Sequence, residues 1–247
     1  MNKPMTCIIQ AAALLASLAA GPAPNPAMAT PPPPPDMPSP ARCPVPPPID
    51  SEANERKGPL QVPPRFAALI RSSRTNLAVW TLGNTNFCYP INNVSEARNF
   101  ATSTDFRFIS FDWYGYEEGG HVVIDRTGRG QAVDTGAAPV FSPSRQRLAA
   151  VEFSESGFGS LNGFAVWQVN AVGLRRVAML SDIPSLVDWR IDSWAGENCV
   201  MLSGIPNARI PENTQNYSKV ARDRYIARPV GTSWRLTRAA GRGCPAG

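Results

Sequence analysis

Histidine is almost absent from this sequence, and its absence removes several classes of enzyme. His121 is the only histidine among 247 residues, so one chain cannot build a metal centre from several imidazole ligands. A serine–histidine–acid hydrolase would have to use His121, and no Gly-x-Ser-x-Gly motif presents a nucleophilic serine. We therefore predict no catalytic residue of these kinds, no bound metal and no cofactor.

Phosphate-binding and nucleic-acid-binding motifs are also lacking. The glycine-rich stretches at 128–130 and 157–159 are not followed by Lys-Ser or Lys-Thr, so neither is a P-loop. The net charge is +5, but the arginines are scattered, and the densest group is Arg235, Arg238 and Arg242. A nucleic-acid reader needs a concentrated basic stripe. We interpret this group as a solvated face and predict no nucleic-acid partner.

Long hydrophobic runs are missing too. One apolar block spans residues 7–20, which is shorter than the about 20 residues of a membrane-spanning helix. Lys3 precedes the block, and Ala-Met-Ala at 27–29 follows it. A positive start, a short apolar core and a small-x-small site are typical of a secretory signal peptide. We predict that residues 1–29 are such a signal, leaving no membrane span; an uncleaved anchor is the alternative.

Lysine is scarce, with only Lys3, Lys57 and Lys219 among 24 basic residues, whereas alanine and proline are abundant. This composition favours a bacterial source with a GC-rich genome. Together with the signal peptide, it predicts a periplasmic or secreted protein.

Four cysteines remain after the signal peptide: Cys43, Cys88, Cys199 and Cys244. An even number in an exported chain favours disulfides. Three connectivities are possible, and we favour Cys43–Cys88 with Cys199–Cys244, because each would tie a terminal segment to a nearby strand. A zinc site is the alternative, although no two of these cysteines lie close together in the sequence.

Proline divides the mature chain into a linker and a domain. Residues 30–48 are dominated by proline, which fixes φ and removes backbone donors, so we predict an extended, disordered linker over residues 30–59. The folded domain is predicted over residues 60–247. This length is sufficient for one domain with its own core.

Short β-rich segments separated by turn residues recur throughout that domain, and they predict an all-β fold. Residues 66–72 fit either a helical turn or a strand, and residues 96–102 are the other candidate helical turn. Within 106–116, one face of a strand would carry Phe108 and Asp112, and the other would carry Phe111 and Trp113.

The segments also repeat. LAVWTLG at 77–83 matches FAVWQVN at 164–170 closely, and HVVIDRTG at 121–128 and YIARPVG at 225–231 match more loosely. The spacings are about 44, 43 and 61 residues, and a period of about 40–45 residues is typical of propeller blades. We predict an antiparallel β-meander of about four blade-like repeats, forming a partial or small propeller; a curved β-sandwich is the alternative.

Residues 139–169 carry a family resemblance. FSP at 141–143, LA at 148–149 and FAVW at 164–167 resemble one blade of a WD40-type or TolB-like β-propeller. The chain differs from that pattern in having Ser-Arg at 144–145 where Asp-Gly is usual, and it lacks the Gly-His and Trp-Asp pairs of WD40 blades. The apolar residues of this stretch are predicted to be core.

One turn combines aromatic and acidic side chains and is our candidate ligand site. Aromatic rings stack on sugars and peptides, and carboxylates accept hydrogen bonds from them; the alternative is that the aromatics are core and the acids solvated. The candidate ligand-binding residues are Trp113, Tyr114, Tyr116, Glu117, Glu118 and His121.

Two functions follow as hypotheses. The first is an exported, non-enzymatic binding protein whose partner is another envelope protein or a cell-wall glycan, with contacts made by loops 154–163 and 206–219 and by the aromatic turn. The second is a secreted, glycosidase-like hydrolase with acids on the loops, since such enzymes need two carboxylates across a cleft and no histidine. Facing carboxylates with shifted pKa values would favour the enzyme.

Overall fold

The computed structural model describes residues 38–47, 56–154, 157, 159–212, 216–239 and 243–244. Over these ranges the chain forms fifteen β-strands and a few single 3-10 turns, and no α-helix. None of the helical segments there is long and apolar enough to cross a membrane. The predicted all-β fold class is confirmed. The predicted signal peptide lies outside the described residues, as does most of the predicted linker.

The strands form four antiparallel sheets in chain order, each a simple meander. The first sheet contains β1 (Ile70–Ser72), β2 (Asn76–Trp80) and β3 (Asn86–Pro90). The second contains β4 (Glu96–Thr102), β5 (Phe108–Tyr114), β6 (Gly119–Asp125) and β7 (Gln131–Asp134). The third contains β8 (Val140–Phe141), β9 (Arg147–Glu152), β10 (Gly163–Asn170) and β11 (Gly173–Leu180). The fourth contains β12 (Leu186–Trp194), β13 (Val200–Pro206), β14 (Asp223–Val230) and β15 (Ser233–Arg238).

The four sequence repeats occupy equivalent places in these sheets. Three of them contain β6, β10 and β14, each the third strand of its four-stranded meander. The remaining repeat contains β2, which forms a hairpin with β3 as β6 does with β7. The first sheet is therefore a meander without its first strand, and the prediction of about four blade-like repeats is confirmed.

Three hydrophobic clusters lie between consecutive sheets. The alternation along β5 shows how one strand serves two of them: Ile109, Phe111 and Trp113 face the first sheet, whereas Phe108 faces the third. A further cluster joins the third sheet to the fourth through residues such as Val166. None of the three clusters joins the first sheet to the fourth.

One secondary-structure prediction is wrong. Residues 96–102 form β4 and not a helical turn, because they pair along β5 with a register shift between Arg98 and Ala101. That irregularity includes Asn99 at φ +54°, and it hides the strict alternation by which a strand is recognised. Residues 66–72 combine both predicted alternatives, a 3-10 turn at Pro64–Phe66 followed by β1.

Both favoured disulfide pairings are present. Cys43 is bonded to Cys88 and Cys199 to Cys244, each with a sequence separation of 45. Disulfides persist in oxidising compartments outside the cytoplasm, so this pair of bonds indicates an extracytoplasmic protein. Each bond attaches one end of the described chain to one of the two terminal sheets.

Part of the predicted linker is packed onto the fold. Residues 38–47 lie against the outer face of the first sheet, where Asn76 donates to the Pro44 carbonyl at 3.0 Å and the Ser39 N–H donates to Asn86 at 3.1 Å. Ala78 and Trp80 are buried on that face. The rest of residues 30–59 is described only over 56–59.

Candidate functional site

The predicted aromatic turn connects β5 to β6 and lies at the end of the second sheet. The Gly115 N–H donates to the Glu118 carbonyl at 2.8 Å and closes the turn, and Glu117 takes a left-handed conformation at φ +56°. Tyr114 and Tyr116 are 43% and 63% exposed. Two aromatic faces and the Glu117 carboxylate are thus open to solvent.

His121 lies next to this turn but not on its exposed surface. It is buried at 4% exposure and pairs with Asp112 on the adjacent strand, Nδ1 to Oδ1 at 2.6 Å. The Asn99 amide donates to the other Asp112 oxygen at 2.6 Å. Because these groups satisfy one another inside the sheet, His121 supports β5 and β6 and is not placed to contact a ligand directly.

Trp113 combines a core position with a polar edge near the surface. Its ring is 6% exposed and belongs to the cluster between the first two sheets. Its indole N–H is buried and lies beyond hydrogen-bonding distance of any acceptor within the described ranges. A Cβ on Gly120 would lie 3.2 Å from this nitrogen and would collide with Ser160 Oγ. Glycine at 120 therefore allows the long loop 154–163 to bring Ser160 close to the indole.

The end of β7 adds an acidic group that sequence reasoning did not single out. Partial burial raises the pKa of Asp134, and the negative charge of Glu118 acts in the same direction. The Tyr89 hydroxyl donates to Asp134 at 3.4 Å, and together with the nearby indole N–H of Trp113 it offsets part of this rise. Asp134 thus exchanges its proton at a higher pH than an exposed aspartate.

Tyr89 reaches this acid from the first sheet. Burial, reinforced by the charge of Asp134, raises the pKa of the Tyr89 phenol, so the hydroxyl keeps its proton and remains a donor at neutral pH. We call Tyr89, Trp113, Glu118, Asp134 and Ser160 the Asp134 cluster. Glu118 also accepts a hydrogen bond from Asn93 at 2.8 Å, which holds the base of the turn.

A cleft of about 420 Å³ opens beside the Asp134 cluster, between the edges of the second and third sheets. It reaches the size range of small-molecule sites, about 300–1,000 Å³. Gln131 joins β7 to β11 at its closed end, because its side chain exchanges two hydrogen bonds with the backbone of Leu174, at 2.8 and 2.9 Å. The two edge strands diverge from there. The remaining lining residues are Val133, Asp134, Ser160, Leu161, Trp167, Arg176 and Met179.

The walls of this cleft differ in chemistry. Asp134 supplies a carboxylate on the second-sheet side, and Arg176, which is exposed on β11, supplies a guanidinium on the third-sheet side. Trp167 and Leu174 supply an apolar base and are 3% and 5% exposed. An acceptor, a donor and an apolar surface are the elements by which a polar ligand of moderate size is oriented.

The structure brings together some predicted site residues and separates others. Trp113 and Glu118 belong to the Asp134 cluster, Tyr114, Tyr116 and Glu117 form the exposed turn beside it, and His121 is buried behind it. Loop 154–163 meets the turn, since Gly119 and Gly159 form an isolated β-bridge. Sequence reasoning missed Tyr89, Asp134 and Arg176, which come from three sheets, and no local motif connects them.

The described residues contain no group of three or more His, Cys, Asp or Glu side chains arranged to hold a metal ion. No protein-family description matches this chain, and no curated protein is significantly similar to it. The geometry of the molecule therefore carries the functional proposal.

Proposed function

We propose that this is an exported, non-enzymatic binding protein of the bacterial envelope, directed to the periplasm or the medium by residues 1–29. The two disulfides support an oxidising destination. We further propose that its four meanders are related to WD40-type or TolB-like blades. Such sheets hold loops on a rigid scaffold, and loop 154–163 meets the aromatic turn at the Asp134 cluster.

The ligand class that we propose is a cell-wall glycan. The observation that carries this proposal is the cleft with Asp134 and Arg176 on opposite walls, next to a rim that exposes Tyr114 and Tyr116. Sugar hydroxyls both donate and accept hydrogen bonds, so they fit a site with a carboxylate and a guanidinium. The tyrosine faces offer stacking surfaces for the apolar faces of sugar rings.

The test is a fluorescence and calorimetric titration with soluble peptidoglycan fragments. We expect saturable binding, and we expect both Asp134→Asn and Tyr116→Ala to weaken it by at least tenfold. Asp182→Asn, an exposed acid on the loop after β11, is the matched control and should leave binding unchanged. Absence of saturable binding, or an equal loss in the Asp182 variant, would refute the glycan site.

A carboxylate-based hydrolase is the second candidate, and one observation favours it. Asp134 has a raised pKa, as a general acid requires, and the charge of Glu118 contributes to that rise. If the protein hydrolyses glycan strands, wild type will release reducing ends from peptidoglycan, and both Asp134→Asn and Glu118→Gln will abolish the release. Binding without release of reducing ends would leave only the binding function.

A further inference from the structure

The fourth sheet has an outer face that no other sheet covers with a hydrophobic cluster. Its inner residues, such as Leu202, Ala227 and Trp234, pack against the third sheet. The alternating residues therefore point outward, and on β14 and β15 they include Arg224, Arg228 and Arg235. Arg228 and Arg235 lie directly opposite each other across the two strands.

Like charges directly opposite each other across an antiparallel pair repel, and the nearby acids do not relieve this repulsion. Asp223 is held by Arg209 and Arg238 at 2.8 Å each, and Asp188 is held by Arg190 and Arg222. In the described part of the chain, no carboxylate forms an ion pair with Arg224, Arg228 or Arg235. The outer face thus carries a local excess of positive charge, which attracts anions.

A cavity of about 450 Å³ lies on this same face. Met201 and Ile226, which pair across β13 and β14, give it an apolar surface, and Arg224 adds a guanidinium that no carboxylate of the described residues neutralises. Ala239 and Gly243 contribute one wall, and the Cys199–Cys244 disulfide anchors Gly243 beside Met201. The cavity therefore combines a cation with an aliphatic surface.

A polar network forms the opposite side of the cavity. Arg222 donates from Nε to Ser203 Oγ at 2.8 Å, and Ser203 donates to Asp192 at 2.8 Å. Arg222 is also bonded to Asp188, so its guanidinium is held in place and largely neutralised. Asp192 is the one carboxylate among the lining residues, and its charge opposes an anionic ligand.

We infer that this cavity binds an amphiphilic anion, with an acidic headgroup on Arg224 and an aliphatic body along Met201 and Ile226. A carboxylate or phosphate headgroup fits a guanidinium in bidentate geometry. The positive field of Arg228 and Arg235 draws the headgroup towards this face. A bilayer lipid and a free fatty acid or alkyl phosphate share this chemistry.

The test is a calorimetric titration of the mature, oxidised protein with octyl phosphate, octanoate, inorganic phosphate and the neutral octyl glucoside. We expect the two amphiphilic anions to bind, and the other two compounds to bind at least tenfold more weakly. Arg224→Gln should weaken octyl phosphate binding at least tenfold. Arg129→Gln, an exposed charge in the β6–β7 turn, is the matched control and should not.

Asp192→Asn provides a gain of function that a folding defect cannot imitate. Asparagine can still accept the hydrogen bond from Ser203 but removes the opposing charge, so octyl phosphate should bind more tightly. Sedimentation with phosphatidylglycerol vesicles, compared with phosphatidylcholine vesicles, distinguishes a membrane source from a free ligand, and either source agrees with the inference.

Three results would overturn the inference: no binding of either amphiphilic anion, equal affinity for inorganic phosphate and octyl phosphate, or no effect of Arg224→Gln. The outcome is independent of the glycan proposal, because Asp134→Asn should leave octyl phosphate binding unchanged. Equally, Arg224→Gln should leave the binding of peptidoglycan fragments unchanged.

Discussion

At the scale of single residues, Asp134 and Asp105 show how surroundings act on a carboxyl group in opposite directions. Partial burial raises the pKa of Asp134. The Ser103 hydroxyl, helped by the Arg107 N–H, lowers the pKa of Asp105, although burial acts against it. Both shifts link protonation to folding.

The sign of the pH dependence is therefore expected to differ between these two acids. Because the folded state holds the Asp134 proton more tightly than the unfolded state, this group favours folding at low pH, and its contribution falls as pH rises above about 3.9, the usual value for aspartate. The melting temperature of wild type minus that of Asp134→Asn should thus decrease from pH 3.5 to pH 6.

Asp105→Asn is the control with the opposite sign. Its depressed pKa makes the ionised group stabilising at neutral pH, and this stabilisation is lost as pH falls through the folded-state value. The difference in melting temperature between wild type and Asp105→Asn should thus increase over the same range. Parallel curves for the two variants would contradict the assignment of either shift.

At the scale of elements, the β6–β7 turn shows why two glycines in one turn are not equivalent. Gly128 has φ +56°, and a Cβ added to it would meet no described atom within 4 Å. Gly130 has φ +84°, and a Cβ added to it would lie 2.6 Å from the Cβ of Phe87. Phe87 belongs to β3 and packs against the core between the first two sheets. The turn of one sheet is therefore fitted closely against its neighbour.

Gly130→Ala should destabilise the protein by about 2–4 kcal/mol, because left-handed strain adds to an overpacking cost of about 1–3 kcal/mol. Gly128→Ala, in the same turn, should cost only the strain of about 1–2 kcal/mol. Urea unfolding of both variants checks this difference. Equal losses would show that Phe87 moves aside without cost.

The sequence predicts these elements better than it predicts the candidate site. Alternating apolar residues identify β5 and place Phe111 and Trp113 on one face, because the strand period is local in sequence. β4 is missed because the irregularity at Asn99 interrupts that period. Asp134 and Arg176 meet only through the packing of two sheets, so no local pattern can associate them.

At the scale of the whole molecule, the two disulfides close equal lengths of chain at the two terminal sheets. The chain-entropy model gives each bond a stabilisation of about 4 kcal/mol for a loop of this length. The two ends nevertheless differ in packing. Residues 38–47 lie over a face on which Ala78 and Trp80 are buried, whereas the described C-terminal residues border an open cavity.

Removing the first bond should therefore cost more than removing the second. In the Cys43→Ser/Cys88→Ser variant, the gain of entropy in the unfolded chain is joined by release of residues 38–47 and exposure of the apolar face beneath them, at roughly 25 cal/mol per Å². In Cys199→Ser/Cys244→Ser, the entropic part is the same and less apolar surface is exposed. Urea unfolding of both variants under oxidising conditions measures the two losses. Because the loops are equal, their difference isolates the packing of the N-terminal segment, and equal losses would mean that this segment is held by its disulfide alone.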